Sequence, residues 1–266
     1  MKPRKRAQMT PEAPLPTTEE MEPLVQAVRT KLKSFGSAKM VAEFKRKYGE
    51  GISCYGVPTA QVYQVGLDLV RRMRTGGLSL AMGVADPLWR TGNLEEGLVA
   101  AQLVGAMGRH IGGGNFERFE EWAGMLTNWA TADALALQMV SRSLAAKPSL
   151  VNRLKGWAGA GSPGLRRAAV MTFVPLVRDG RFLTDAFTVL EGVMLDQDPQ
   201  VEEAVAFMLV EASRLQPDRV YEFLEGWQSK LGMGILRKAS MKLSNDQRNR
   251  LLSGQGASKG PTEKVE

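Results

Sequence analysis

Residues 198–231 read DPQVEEAVAFMLVEASRLQPDRVYEFLEGWQSKL. Two segments with apolar residues at helical spacing follow one another here, and each begins at a proline, Pro199 or Pro217, after a short polar turn. Proline suits the first turn of an α-helix, because its missing N–H would have no intrahelical acceptor there. The stretch therefore predicts two helices joined by a tight turn, an arrangement in which the helices pack antiparallel.

Short turns with a proline near the start of the next helix recur along the chain. AKPSL, AGSPGL and DQDPQV are similar turns, and the prolines at 163, 199 and 217 belong to helix pairs that repeat roughly every 35 to 40 residues, as in HEAT-like repeats. Strand patterns do not recur. The sequence therefore predicts an all-α superhelical solenoid of antiparallel HEAT-like helix pairs, with a compact irregular helical domain as the alternative. The eleven predicted helices begin near residues 23, 59, 93, 116, 131, 148, 162, 181, 198, 217 and 234.

The composition is that of an ordinary globular protein, since 44% of the 266 residues are hydrophobic and 24% are charged. No apolar run approaches the roughly 18 residues of a membrane span, and no apolar segment follows the basic N-terminus as a secretory signal would require. Cys54 is the single cysteine, which excludes an internal disulfide and favours a cytoplasmic location. Because His110 is the single histidine, no zinc site is expected, and no cofactor is suggested.

The two ends of the chain differ in composition from its middle. Residues 1–20 are rich in Pro, Thr and Glu and are predicted to form a disordered tail, as are residues 253–266, with a helical domain at 21–252. The formal net charge is +7, and the charges within 1–22 and within 253–266 each cancel. The positive excess therefore lies on the helical domain, which favours a polyanionic partner such as nucleic acid or an anionic membrane; mild basicity without a specific partner is the alternative.

The segment NWATADAL, residues 128–135, places an aromatic residue and a carboxylate on one helix face. Trp129 and Asp133 are four residues apart, about one helical turn, so their side chains project from the same side. An acid in the first turn of a helix is also favoured by the helix dipole, and tryptophan is more often a packing residue. Spacing alone does not decide between a binding site and an ordinary helix start.

Four segments, in this order, resemble the DNA alkylation repair family of HEAT-like repeat DNA glycosylases. They are YGVPTAQVYQVG at 55–66, DPLWRTGNLEEGLVAAQLVG at 86–105, NWATADAL at 128–135 and KGWAGAGSPGLRRAAVMTF at 155–173. The resemblance extends over residues 24–245. It implies a monomeric C-shaped solenoid that binds duplex DNA, without a membrane, metal or cofactor, in the nucleoid of the cytoplasm. It also implies excision of cationic N-alkylated purines of the 3-methyladenine and 7-methylguanine class.

The resemblance assigns roles to individual residues of this chain. Asp133 would be the catalytic carboxylate, Trp129 would pack on the sugar, and Arg167 would contact the phosphate side. Arg166 is a second DNA-binding candidate, although two adjacent arginines point to different sides of a helix and one of them is expected to support the fold. The basic run of the early helices adds Lys45 and Lys47 as candidate DNA contacts, with a solvated helix face as the alternative.

The chain departs from the family pattern at several places. Phe207 stands where the family often has a second substrate-binding tryptophan, and Val210 stands where it often has an arginine. Phe44 corresponds best to an early tyrosine that faces the lesion. Tyr48 and Tyr55 carry no specific signal. These changes leave open a different function, that of a non-catalytic HEAT-like scaffold that binds DNA or protein.

The residue types suit the implied chemistry. An alkylated purine that already carries a positive charge is a good leaving group and needs no general acid. As the bond breaks, positive charge develops on the deoxyribose, and a carboxylate close to C1′ stabilises that transition state. The enzyme therefore requires Asp133 to face the DNA-binding surface, whereas the scaffold allows it to cap its helix on the far side.

Overall fold

Local signals in the sequence account for where most helices begin. Asn93, Asn128 and Asp198 each accept hydrogen bonds from backbone N–H groups one turn ahead, which satisfies donors that have no intrahelical partner. Pro163 and Pro199 occupy the first position of their helices. These N-terminal signals fix the ends of the helices that later form the candidate site.

The computed structural model describes residues 18–253, with side chains from residue 21, and this part of the chain contains no strand. It comprises sixteen α-helices: α1 Thr18–Phe35, α2 Ala38–Tyr48, α3 Thr59–Arg72, α4 Gly77–Trp89, α5 Leu94–Ala106, α6 Phe116–Ala123, α7 Trp129–Leu135, α8 Ser141–Ala146, α9 Val151–Ala158, α10 Pro163–Met171, α11 Val174–Arg178, α12 Leu183–Leu190, α13 Pro199–Ser213, α14 Pro217–Trp227, α15 Met233–Ala239 and α16 Asn245–Ser253. A single π-helical turn, Ala136–Val140, joins α7 to α8.

The helices form the two layers of a solenoid. In the first layer α3, α5, α7, α10, α13 and α15 pack against one another in that order. The second layer contains α4, α6, α9, α12, α14 and α16, which pack on the first. The buried apolar side chains between the layers form one cluster that runs through all the repeats, and the largest of its fully buried members are Trp122, Phe116, Phe119 and Phe173. The predicted all-α solenoid of antiparallel helix pairs is confirmed.

Side-chain hydrogen bonds connect each repeat to the next at a nearly constant sequence separation. The indole of Trp89 donates to the carbonyl of Trp122, 33 residues ahead, and Arg153 donates to Glu120 at the same separation. The separation is 36 residues for Lys238 and Glu202. The repeat length is therefore close to the short end of the predicted interval.

Helix α2 is held in place by a buried carboxylate and a small apolar cluster. Glu95 accepts the backbone N–H groups of Tyr55, Gly56 and Val57 at 2.8 to 3.0 Å, which fixes the loop after α2 on the start of α5. Gly56 has φ +74°, and a Cβ there would lie 2.5 Å from the carbonyl oxygen of Ser37, so the loop requires glycine. The docking of α2 on α5 brings the end of α2 close to the start of α7.

The helix predictions differ from the structure at a few places. Helices α2, α4 and α16 are not among the predicted helices. Helix α4 is apolar on nearly every side, with Ala81, Val84 and Leu88 fully buried, so it lacks the polar face on which periodicity depends. The predicted helix at 162–180 is broken into α10 and α11 ahead of Pro175. The predicted tail 1–20 lies largely, and 253–266 almost wholly, outside the described residues. Within the described part, no helix has the length and apolar character needed to cross a membrane.

Candidate nucleic-acid interface

A cleft lies where three successive first-layer helices begin. The N-terminal ends of α7, α10 and α13 line it, together with Tyr48 at the end of α2, and its volume is about 240 Å³. The positive dipole end of a helix and its unpaired N–H groups favour an anion, and of the three helices only α10 lacks a side-chain cap, since Asn128 caps α7 and Asp198 caps α13. The hydroxyl of Ser162, at the start of α10, makes no capping hydrogen bond. The cleft therefore suits a phosphodiester chain better than an apolar ligand.

Asp133 and Arg167 form a bidentate ion pair beside this cleft. Nε and Nη2 of Arg167 donate to the two carboxylate oxygens of Asp133, each at 2.7 Å, and Nη1 donates to the carbonyl of Gln200. The pair joins α10 to α7 and to α13. Because Arg167 is only 5% exposed, all of its donor groups serve the protein interior rather than solvent.

The Asp133 carboxyl has a raised pKa. Burial raises the pKa most, the hydrogen bonds and positive charge of Arg167 lower it, and the negative charge of Glu203 raises it again. Oε2 of Glu203 lies 3.7 Å from Nη1 of Arg167, so two carboxylates flank one guanidinium. A perturbed carboxyl next to a cleft is typical of functional sites, although structural ion pairs also perturb pKa values.

Trp129 is the aromatic wall of the cleft. Its ring packs against Tyr48 with 5.0 Å between ring centroids, and two cations lie over it, Nζ of Lys47 at 5.0 Å and the guanidinium of Arg167 at 5.2 Å. Its indole N–H is buried without a hydrogen-bond partner among the described residues, as is Oε1 of Gln200. Since buried polar groups are nearly always paired in folded proteins, these two atoms are suited to contact a ligand or water.

The remaining predicted residues of α2 lie at different depths. Phe44 is buried behind Tyr48, edge-on to its ring, in a small cluster with Ile52 and Leu94, so it does not line the cleft. Lys45 is half-exposed and pairs with Glu50 at 3.5 Å. The sequence analysis did not select Tyr48. Its position four residues after Phe44, on the same face of α2, is the feature that could have indicated it.

Arg166 and Phe207 complete the predicted set. Arg166 donates to Asp196 through Nε and Nη2, and its Nη1 donates to the carbonyl oxygens of Ala160 and Gly161, so it braces the turn that leads into α10. Phe207 is 39% exposed on α13, with the guanidinium of Arg178 5.8 Å from its ring centre. Of the predicted residues, the structure brings Trp129, Asp133, Arg167 and Lys47 together at the cleft. The other predicted residues, Phe44, Lys45, Arg166 and Phe207, do not line it.

The profile of a known family, described as DNA alkylation repair enzyme, matches residues 28–243. The chain belongs to the DNA alkylation repair family. Membership places the protein in the repair of alkylated DNA, with DNA as its substrate. The fold is similar to that of a solved structure titled "Predicted DNA alkylation repair enzyme from Enterococcus faecalis", with a TM-score of 0.67 and 14% identity over 79% of this chain and 97% of that one. A search of curated proteins found no match.

Proposed function

We propose that the protein is a DNA N-glycosylase that excises cationic N-alkylated purines, of the 3-methyladenine and 7-methylguanine class, from duplex DNA. It would act as a monomer in the nucleoid. The observation that carries the proposal is a carboxylate fixed at both oxygens by Arg167 and placed one turn from Trp129, the half-buried aromatic wall of the cleft. A fixed charge of this kind needs little reorganisation when positive charge develops next to it.

The reaction assigns Asp133 an electrostatic role. The bond between C1′ and the purine nitrogen breaks, and its electron pair leaves with the base, which becomes neutral. Because the base leaves as a neutral molecule, it needs no general acid. A water oxygen then bonds to C1′ and releases its proton to solvent. Asp133 stabilises the oxocarbenium-like sugar and orients the water, while the indole of Trp129 accommodates the sugar edge and its positive charge.

DNA binding is assigned to the groups that remain accessible. Lys47 is exposed at the end of α2, over the ring of Trp129, and the N-terminus of α10, which no side chain caps, presents backbone donors for phosphate. Arg167 faces Asp133 rather than solvent, so we assign it to positioning that carboxylate. Binding to DNA through phosphate contacts should weaken steeply as salt is added.

The test is the release of 7-methylguanine and 3-methyladenine from methylated duplex DNA by the wild type and by Asp133→Asn. Loss of one electrostatic contact to the transition state costs about 10²- to 10³-fold in rate, so a drop of that order is expected. Asp196→Asn is the matched control, because it breaks a similar Arg–Asp pair away from the cleft. Wild-type release no faster than the spontaneous reaction, or equal losses in both variants, would refute the assignment.

A non-catalytic DNA-binding scaffold is the second candidate. The residues of α13 favour it, because Phe207 and Val210 stand where the family pattern has a tryptophan and an arginine. This candidate predicts salt-sensitive DNA binding by the wild type, no release of alkylated bases, and unchanged binding in Asp133→Asn.

A further inference from the structure

Helix α13 presents a second carboxylate to the site. Gln200, Glu203, Phe207 and Val210 follow one another at three- and four-residue steps, so they share one helix face, and each is at least partly exposed. Glu203 lies one turn before Phe207, and its side chain is 63% exposed. The only charge on this face over the first three turns of α13 is therefore negative.

The partner of Glu203 is already satisfied. Arg167 makes its short hydrogen bonds to Asp133 and to the carbonyl of Gln200, and Glu203 lies 3.7 Å away, beyond hydrogen-bond distance. One guanidinium thus balances one of two carboxylates. Asp133, Arg167 and Glu203 together therefore carry a net negative charge, on a surface that the proposed function requires to attract phosphates.

The neighbouring acid provides a contrast within the same helix turn. Glu202 pairs with Nζ of Lys238 on α15 at 3.2 Å, so its charge is neutralised by the next repeat. An exposed acid on a DNA-binding surface repels the backbone and weakens binding. Glu203 is therefore costly for affinity unless the ligand that the site accepts carries positive charge.

We propose that Glu203 is a specificity-determining residue, whose carboxylate, which shares the guanidinium of Arg167 with Asp133, makes the site prefer a positively charged nucleotide to a neutral one. This rests on the proposed function, since it concerns the charge of the base that the same site accepts. The carboxylate lowers affinity for every phosphodiester chain and recovers the loss only where the nucleotide is cationic. Because undamaged purines are neutral, such a residue discriminates against the large excess of normal DNA.

The experiment compares Glu203→Gln, Glu202→Gln and the wild type in equilibrium binding to two duplexes that resist cleavage. Both carry a 2′-fluorine on one deoxyribose, which opposes positive charge on the sugar; one presents a 7-methylguanine cation there and the other an unmodified guanine. Anisotropy titrations give the ratio of the two dissociation constants. Thermal melts followed by circular dichroism show whether each variant is folded.

The wild type is expected to prefer the cationic duplex. Exposed charges interact by up to about 1 kcal/mol, so Glu203→Gln should lower this preference by about two- to fivefold and tighten binding to the neutral duplex by a similar factor. Glu202→Gln should keep the wild-type ratio. The proposal is overturned if the ratio survives in Glu203→Gln, if both duplexes bind more tightly by the same factor, or if Glu202→Gln loses the ratio equally.

The outcome separates this inference from the proposed function. A preference that depends on Glu203 in a protein that releases no base would support the specificity role and refute the glycosylase. Base release that is lost in Asp133→Asn, together with a preference that is independent of Glu203, would refute only the specificity role.

Discussion

Two adjacent arginines of α10 form two similar ion pairs with opposite electrostatic outcomes. Arg166 pairs with Asp196, and Arg167 pairs with Asp133, each through Nε and Nη2. Burial alone would raise the pKa of Asp196, but hydrogen bonds from Arg166 and from the backbone N–H of Asp198 bring it below its ordinary value. At Asp133 burial and Glu203 outweigh Arg167, and the pKa is raised.

The difference separates a pair that serves the fold from the pair that the proposed function places at the site. Asp196 receives a backbone donor in addition to its arginine and has no competing acid among the causes of its shift. Asp133 shares its arginine with a competing acid, Glu203, and lies next to a cleft. Electrostatics that are unfavourable in the free protein are common at sites whose favourable partner is a ligand.

The largest difference is expected in catalysis when each arginine is replaced by lysine. An ammonium cannot reproduce the planar fork that holds both carboxylate oxygens, so Arg167→Lys lets Asp133 move. Since a displacement of about 1 Å can cost about 10²-fold, single-turnover excision should fall by about 10- to 100-fold. Arg166→Lys should stay within about twofold of wild type, because its pair lies outside the cleft. Equal losses would show that both pairs act only through the fold.

For stability the order should be reversed, so that breaking the Arg166–Asp196 pair costs more than breaking the Arg167–Asp133 pair. Asp196→Asn removes charge-assisted hydrogen bonds from a well-satisfied carboxylate and should lower the free energy of unfolding by about 1–3 kcal/mol. Asp133→Asn should cost less, because burial and Glu203 raise the pKa of Asp133, so the folded protein disfavours the charge that this variant removes. Urea denaturation at neutral pH measures both. A larger loss in Asp133→Asn would contradict the distinction.

The pH dependence of stability should separate the pairs by sign. Asp196, with its lowered pKa, contributes stability that is present above the unfolded carboxyl value of about 3.9 and is lost as the pH falls through its folded pKa. Asp133 binds its proton more tightly in the folded state, so a fall in pH through its raised pKa adds stability. Unfolding free energies should therefore fall less steeply with acid in Asp196→Asn, and more steeply in Asp133→Asn, than in wild type. Parallel curves for the two variants would be inconsistent with the shifts.

The smallest effect, on DNA binding, is expected from Tyr48, whose ring packs on Trp129 beside Asp133 and has no counterpart at the Arg166–Asp196 pair. An aromatic pair contributes about 0.5–1.5 kcal/mol, so Tyr48→Ala should weaken binding to alkylated duplex DNA by about two- to tenfold. Tyr48→Phe keeps the ring on Trp129 and should remain within about twofold of wild type. If both variants bind equally poorly, the hydroxyl of Tyr48 contacts DNA directly.

The sequence predicts the frame of the molecule because its signals are local. Pro163, Pro199 and Pro217 begin α10, α13 and α14, as their positions predict, and the four-residue spacing of Trp129 and Asp133 places both on one face of α7. Each of these statements depends only on the geometry of a single helix turn. The same reasoning fails for α4, whose burial on nearly all sides removes the polar face.

The contacts of the candidate site could not be predicted, because they join different repeats. Arg166 pairs with an acid 30 residues later in the sequence, whereas Arg167 pairs with an acid 34 residues earlier. Both separations are compatible with the length of one repeat. Likewise, nothing in the EE dipeptide at 202–203 indicates that its first member pairs with Lys238 and its second faces Arg167. Tyr48 reaches Trp129 only because α2 docks on α5. A periodic sequence predicts the repeat, but the rotation between repeats decides which neighbours meet.

The near-constant step of the hydrogen bonds between repeats also bears on how the protein is made. Because Trp89 and Trp122, or Arg153 and Glu120, lie 33 residues apart, contacts form between neighbouring parts of the chain, and low contact order favours fast folding. Repeats can then dock one after another during synthesis, in the direction of translation. The cleft draws on α7, α10 and α13, so it is completed only when the last of these emerges from the ribosome. A partly synthesised chain would therefore hold a folded solenoid in which Asp133 is not yet part of a finished site.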